Sequence, residues 1–412
     1  MNRLLIVVIG ALSLFWTQPG EAQQSENCTL VGSHETLGQA IAVSGSLVLM
    51  GAMDLEIVDF SSPTRPVSLS SLQAPGAIMA IAVEGELAYL ACGFAGLCIV
   101  DLHDPANPVI VGSLGSGTNT NDVVVSNGRA YLADGWTGIR IVDVTHPEAP
   151  AVLGGLDTPG SAAGVAVHGN VLWVADSFEG IRAIDVSDPS EPQEVGFDAS
   201  QNAVYAIVAD DSGVFAADHY GGLRILDGSD PAQPQELGWY ITPGNPWDLA
   251  LGGSLVYMAD DQQGVRIIDI SDPTSPVLAG YYSSGYAVEV AFANGRAHVA
   301  DLEDGILVLE YHQTTGLIPG ETRLPSDFGL RANTPNPFNP ATLIHFSLED
   351  AQHASLRIFD LRGRLVSSLL DGPQAPGAHS LRFDASALPS GTYLCLLETP
   401  SGHSSLRMTL LK

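Results

Sequence analysis

The chain has 412 residues, 45% apolar and 15% charged, with 44 Gly and 26 Pro; this excludes a disordered chain or a single small module and describes a globular protein rich in turns. Its 46 acidic and 16 basic residues leave a formal charge of -30, which excludes a nucleic-acid partner, because a phosphate backbone must be met by Lys and Arg. The single Lys is Lys412, so a Walker phosphate loop, a Schiff-base lysine and a kinase-type lysine are excluded together.

Residues 1–22 read as a signal peptide: Arg3, then the apolar run Leu4 to Trp16, then Gly20-Glu21-Ala22, a small-x-small pattern that places cleavage after Ala22. The run of about 13 residues is too short for a bilayer, which needs about 20. No later segment is apolar and long enough to span, so no membrane span is expected in the mature chain. No Cys directly follows the cleavage site, which argues against a lipoprotein anchor.

From residue 23 to 311 the sequence repeats. An apolar-apolar-Asp core recurs as Ile57-Val58-Asp59, Ile99-Val100-Asp101, Ile141-Val142-Asp143, Ala183-Ile184-Asp185, Ile225-Leu226-Asp227 and Ile267-Ile268-Asp269, each Asp 42 residues after the last, and a divergent seventh copy ends Val308-Leu309-Glu310. Within one unit, four β-branched or alternating runs are separated by Gly, Asn, Asp and Pro, as from Gly164 to Gly196. Four short strands in about 40 residues is the arithmetic of a β-propeller blade. Each D-P-x-x-P segment turns the third strand into the fourth and keeps Pro off the central ladder. The last unit stops near Tyr311 without a fourth strand, and Leu30 to Thr36 matches a fourth strand with no unit before it. The expectation is an all-β, seven-bladed ring closed by an N-terminal strand, which removes the open edges.

The I-V-D core with the preceding A-D-x-x-x-G-I-R, as in Ala133-Asp134 to Arg140, resembles the LVIVD repeat family of bacterial extracellular proteins over about residues 28 to 311. The resemblance implies a propeller on a secreted or surface protein and transfers no shared catalytic residues.

Asp134, Asp176, Asp218 and Asp260 each precede an Arg by six: Arg140, Arg182, Arg224 and Arg266. The two positions can face each other across a hairpin as an ion pair. Cys92 and Cys98 hold those positions in the second unit, so a Cys92–Cys98 disulfide is expected in an oxidising compartment, with Cys28 and Cys395 as free thiols. The Asp of each I-V-D reads as a turn-stabilising residue rather than one of a ring of metal ligands. No D-x-[DN]-x-[DN]-G loop occurs, so no cofactor is expected, and Ca²⁺ is suggested only by charge.

Phe94, Trp136, Phe178 and Tyr220 occupy one equivalent position in four consecutive units, with Gln262 and Glu303 in the next two. Tyr205, Trp247 and Tyr286 fall in blade-joining loops of the same face, beside His219. Phe94, Trp136, Phe178, Tyr220, Trp247 and His219 therefore form a candidate platform for a glycan, peptide or protein partner. Packing between neighbouring blades is the equal alternative. Between residues 23 and 319 there are 37 acidic and 7 basic residues, against 8 and 8 from 320 to 412. The whole imbalance lies in the repeats, where it serves solubility or attracts a cationic partner.

Residues 312–322 read as a polar linker. Beyond it, from 323 to 412, six strand-like runs with turn signals at Asp371-Gly372 and Pro389-Ser390-Gly391 read as a small Ig-like β-sandwich. The motifs P-N-P-F-N-P at Pro335 to Pro340, I-F-D-L-R-G-R at Ile358 to Arg364 and L-P-S-G-T-Y at Leu388 to Tyr393 resemble the C-terminal sorting domain of type IX secretion, also described as a FlgD-like Ig fold. That resemblance implies the outer-membrane type IX export machinery as a partner and a secreted, extracellular or outer-membrane surface location in a bacterium.

No G-x-S-x-G, H-E-x-x-H or C-x-x-C occurs. A binding scaffold is the primary reading, because the blades are nearly uniform. The alternative is a propeller-fold hydrolase or lyase acting on polysaccharide, with His219, Asp218 and Asp260 as acid-base candidates.

Overall fold

The computed structural model describes residues 25–312 except 117 and 200–201, and residues 329–411 except 331–332, 334–337, 349–350, 361–363, 376 and 401. The expected leader, 1–22, and the expected linker beyond His312 lie outside the described residues.

Every repeat folds into a four-stranded antiparallel blade. In the third blade the strands are Asp122–Ser126, Arg129–Ala133, Ile139–Asp143 and Ala151–Leu156, paired in chain order. Asn127 and Gly128 take positive φ in its first hairpin, the turn that matches strand twist. The third strand is the core of each blade: Ile141 and Val142 are fully buried. The Asp that ends it turns outward and accepts a backbone N–H two residues on, from Ser61, His103, Thr145, Ser187, Ser229 and Ser271 at 2.7–2.9 Å in successive blades. These carboxylates shape the D-P corners, as expected for turn residues.

The first strands of successive blades lie side by side all the way round, with the seventh blade back against the first. The blades interlock at their outer corners. A register shift in each fourth strand falls next to Gly112, Gly154, Gly196 or Gly238. A Cβ at any of these glycines would overlap the corner carbonyl of Pro147, Pro189, Pro231 or Pro273 in the following blade. Ser70 stands at this position in the first blade and donates its hydroxyl to Pro105 O at 2.7 Å.

Closure is by the N-terminus. Cys28–His34 pairs antiparallel with Gly305–Tyr311 as the fourth strand of the seventh blade. Gly32 meets the Pro63 carbonyl, repeating the interlock across the seam. Ser25–Glu26 continues past it and adds a fifth strand to the sixth blade against Tyr281 and Tyr282. At the junction Asn27, with φ 52°, donates to Ala279 O at 2.8 Å and accepts the His312 N–H at 2.8 Å.

The C-terminal strands form two facing sheets. Gly329–Leu330, Ala341–Leu348 and Gly377–Asp384 make one; Leu365–Gln374, Gln352–Asp360, Gly391–Thr399 and Gly402–Leu410 make the other. They enclose Phe338, Phe346, Leu356, Ile358, Tyr393 and Leu397. The sequence motifs have structural work: Phe338 bonds its backbone to Thr409 O and Leu411 N at 2.9 Å, and the Tyr393 hydroxyl donates to Pro389 O at 2.7 Å, the arrangement of a tyrosine corner.

The expected Cys92–Cys98 bridge is not formed in the structure, although the two thiols are close. Cys92 N–H donates to Gly96 O at 2.7 Å, and Cys98 lies opposite Leu90. The two cysteines are therefore diagonal rather than directly opposite, and their thiols are still close enough to hydrogen-bond. They are two free, fully buried thiols. Hydrogen bonding with Cys98 and then burial hold the Cys92 thiol far above its usual range. Thiol titration of the unfolded, unreduced chain is expected to count all four cysteines, Cys28, Cys92, Cys98 and Cys395; a count of two would restore the bridge.

Candidate functional site

The turns joining second to third strands and the connectors between blades share one face of the ring. Backbone bridges link them: Gly93 with Thr120, Gly135 with Ala162, Ser177 with Val204 and Asp261 with Ala287. In the third blade, Gly135 N–H donates to Ala162 O at 3.2 Å and Ala162 N–H returns to Gly135 O at 2.9 Å. The turn itself is set by φ of 58° at Gly135 and 73° at Gly138. A Cβ at Gly138 would overlap the Leu156 carbonyl, so only Gly fits there.

Beneath the turns lie buried carboxylates. Asp176 accepts from the Thr158 hydroxyl at 2.7 Å and Gly160 N–H at 2.9 Å, and Asp260 accepts from Gly244 N–H at 3.0 Å. Asp301 has a Leu at the position six residues on and binds three backbone N–H groups instead, from Tyr286, Glu303 and Asp304, each at 2.9 Å. Each carboxylate ties its turn to the connector or to itself. The expected ion pairs form on the diagonal: Arg140 with Asp134, Arg182 with Asp176 at 3.3 Å, and Arg266 with Asp260 at 3.6 Å. Arg224 reaches Asp198 at 2.6 Å and Glu236 at 2.9 Å. Burial raises the Asp260 carboxyl to about 6. Asp218 and Asp260, the acid-base candidates, are both buried below the face.

The residue at the tip of each turn is left pointing to solvent. Phe94 is 77% exposed, Trp136 79%, Phe178 61% and Tyr220 60%. They are not cement between blades. Met53, unmarked by the sequence reading, extends the row into the first blade at 64% exposure. Gln262 and Glu303 carry it on as exposed polar tips. Among the described residues Phe94, Trp136 and Phe178 make no ring contact, whereas the remaining aromatics converge. Tyr205 stacks on Trp247 with centroids 5.0 Å apart and planes 7° from parallel. His219 meets Tyr205, Trp247 and Tyr220 edge-on at 4.7–4.9 Å. Burial pulls the His219 imidazole below its usual range, so it is neutral at pH 7.

This cluster has a polar side that the sequence did not single out. Asp261 accepts from Asn245 at 3.3 Å through one oxygen. Burial first, and then the Asp261 carboxylate, push the nearby Tyr286 hydroxyl up to about 12. The Tyr286 hydroxyl stands between Asp261 and Trp247 and interacts with both, and His219 lies against the Pro246 backbone.

A second group of carboxylates lines the middle of the ring. Asp122, Asp248 and Glu289 stand on first strands, and each accepts a backbone N–H from the next blade: Val165 at 2.8 Å, Val290 at 2.9 Å and Ile41 at 3.1 Å. Burial raises all three, Asp248 to about 7 and Glu289 well above its usual range. Among the described residues no three His, Cys, Asp or Glu side chains are grouped to hold a metal ion.

Comparison with known proteins agrees with this architecture. The LVIVD repeat model matches residues 75–115, 117–158, 159–197, 205–242 and 243–284, covering the second to sixth blades and leaving out the two that meet at the closure. The secretion system C-terminal sorting domain model matches residues 334–409. No curated protein matches the sequence. Among solved structures, the computationally designed Ika8 protein is similar with a TM-score of 0.53 at 13% identity, over 68% of this chain and 98% of that one. BamB from Moraxella catarrhalis gives a TM-score of 0.50 at 12% identity, over 68% of this chain and 84% of its own. At these identities the likeness concerns the fold alone. The chain is therefore a bacterial β-propeller built on LVIVD repeats that ends in a type IX secretion sorting domain, a secreted or outer-membrane-associated protein.

Proposed function

We propose that the exported propeller is a binding scaffold and that the face carrying the tip aromatics is its recognition surface. The observation that carries this reading is the row Phe94, Trp136, Phe178 and Tyr220, each 60% or more exposed on a turn whose backbone is fixed on both sides. Soluble proteins rarely leave four large aromatics in register in water without a use, and aromatics are enriched where partners dock. The tail supplies export and leaves the face free of any duty in sorting.

The test is a glycan and peptide array probed with the chain lacking residues 1–22, with and without Ca²⁺. Selective binding is expected to weaken by about 10-fold or more in Trp136→Ala and in Tyr220→Ala, in line with loss of a hot-spot aromatic. Their melting temperatures should be unchanged, because both side chains stand in solvent. Selective binding that survives both substitutions would place the site elsewhere.

A further inference from the structure

We infer that the partner is a basic polypeptide segment, one that carries Arg or Lys among apolar residues, and that one of its cationic side chains lies over the Tyr205–Trp247 stack with its head at Asp261. This rests on the recognition face assigned above and adds the chemistry of what it recognises. The charge of the face carries the argument. Its turns and connectors contain no Lys or Arg at all, but include Glu35, Asp157, Glu179, Asp261, Glu303 and Asp304. The arginines beneath are engaged by carboxylates: Arg140 with Asp134, Arg182 with Asp176, Arg224 with Asp198 and Glu236, and Arg266 with Asp260. A cation approaching this face meets carboxylates and ring faces and no competing positive charge.

The Asp261 corner gives that cation a place. A carboxylate met only by neutral donors keeps its charge uncompensated, and the side-chain donors at Asp261 are the neutral Asn245 and Tyr286. An incoming guanidinium or ammonium supplies the opposite charge. Around it stand Tyr205 stacked on Trp247, Tyr220 edge-on to His219, and Tyr286 beside the carboxylate. Aromatic faces attract cations, most strongly where water is partly excluded. His219 stays neutral there, so it does not repel them. The exposed Phe94, Trp136, Phe178 and Met53 extend the surface away from the corner and suit the apolar residues of the same segment. Neutral sugars would use the rings but leave the acidic charge, that of Asp261 included, unanswered.

The experiment uses the chain lacking residues 1–22 and two fluorescent 12-residue peptides, one alternating Arg with Leu and Trp, the other with Glu in place of Arg, read by fluorescence anisotropy. The expected result is saturable one-to-one binding of the basic peptide only. It should weaken about 10-fold in Asp261→Asn and in Trp136→Ala, and fall as salt is raised. Melting temperatures of both variants check that the fold is kept. Equal binding of the acidic peptide would overturn the inference, as would no binding of the basic one, or basic-peptide binding unchanged in both variants, which marks diffuse attraction to an acidic protein. An oligosaccharide bound and then lost in Trp136→Ala would remove the cationic partner and keep the recognition face. A face that selects neither peptide nor oligosaccharide would remove both.

Discussion

Deletion of residues 25–34 is expected to abolish the cooperative thermal transition of the propeller and to send the protein into the void volume on size exclusion. The segment pairs with Gly305–Tyr311 and with Tyr281 and Tyr282. It also brings Cys28 into a core with Tyr257, Tyr282, Val299 and Leu307. Without it the seventh blade has three strands and a bare edge, the sixth loses its outermost pairing, and the seam to the first blade loses the Gly32–Pro63 contact. Unpaired strand edges are templates for aggregation. In a ring, every blade depends on two neighbours, so one open seam weakens all of them. A smaller lesion tests the same idea: Gly32→Val places a branched side chain against the Pro63 carbonyl and should cost about 1–3 kcal/mol, the usual cost of overpacking. A deletion protein that melts in one transition as a monomer would show that seven blades close without the N-terminal strand.

The ring should also lose stability as pH rises from 4 to 7, and Asp248→Asn should lessen that slope measurably. Asp248 ionises near 3.8 when unfolded and near 7 in the ring, where burial and the neighbouring Asp122 oppose its charge. Between those values the folded state holds a proton that the unfolded state has lost, so rising pH favours unfolding. The contribution is fully present below about pH 4 and gone above about pH 7. Glu289, raised further, and Asp122 act in the same direction. His298 opposes them: its folded value, lowered by burial to about 4, adds stability that is lost as pH falls from about 6.5 to 4. For Asp248 alone an effect of about 2 kcal/mol is expected, since one pKa unit corresponds to about 1.4 kcal/mol and buried charges are partly relieved by relaxation of their surroundings. The asparagine keeps an oxygen for the Val290 N–H and never has to ionise. Melting curves at pH 5 and 8 for the parent and variant decide the matter. Equal slopes would mean that the Asp248 carboxyl is hydrated and unshifted.

The ring was legible in the sequence because a strictly repeated interval of 42 residues leaves little freedom: each I-V-D fixes a third strand, and the missing fourth strand beyond Tyr311 points to Leu30–Thr36. What was misread is local register. Asp and Arg, or Cys92 and Cys98, separated by six residues look opposed across a turn, but the turn's two positive-φ positions set them two positions apart, on the diagonal. Arg spans that diagonal to its Asp, and the two thiols still meet across it. The exposed aromatics were found by their period, yet period alone does not say whether a side chain packs between blades or stands in water; that depends on which way the turn points. Asp122, Asp248 and Glu289 carried no signal, because Gly164 and Ala206 fill the same repeat position in the blades between. Asp261 passed unnoticed for a related reason: Gly135 and Ser177 serve the same turn without its charge.

The separation between what holds each turn and what it displays has an evolutionary meaning. Gly, a buried Asp and backbone bridges fix the loop through its main chain, and the side chain at the tip takes part in none of them, so Phe, Trp, Tyr, Gln and Glu are all mounted on the same frame. The ring is in effect a set of interchangeable sockets. Specificity can diversify one blade at a time, by selection or by library design at positions 53, 94, 136, 178, 220, 262 and 303, without renegotiating the stability of the protein that carries it.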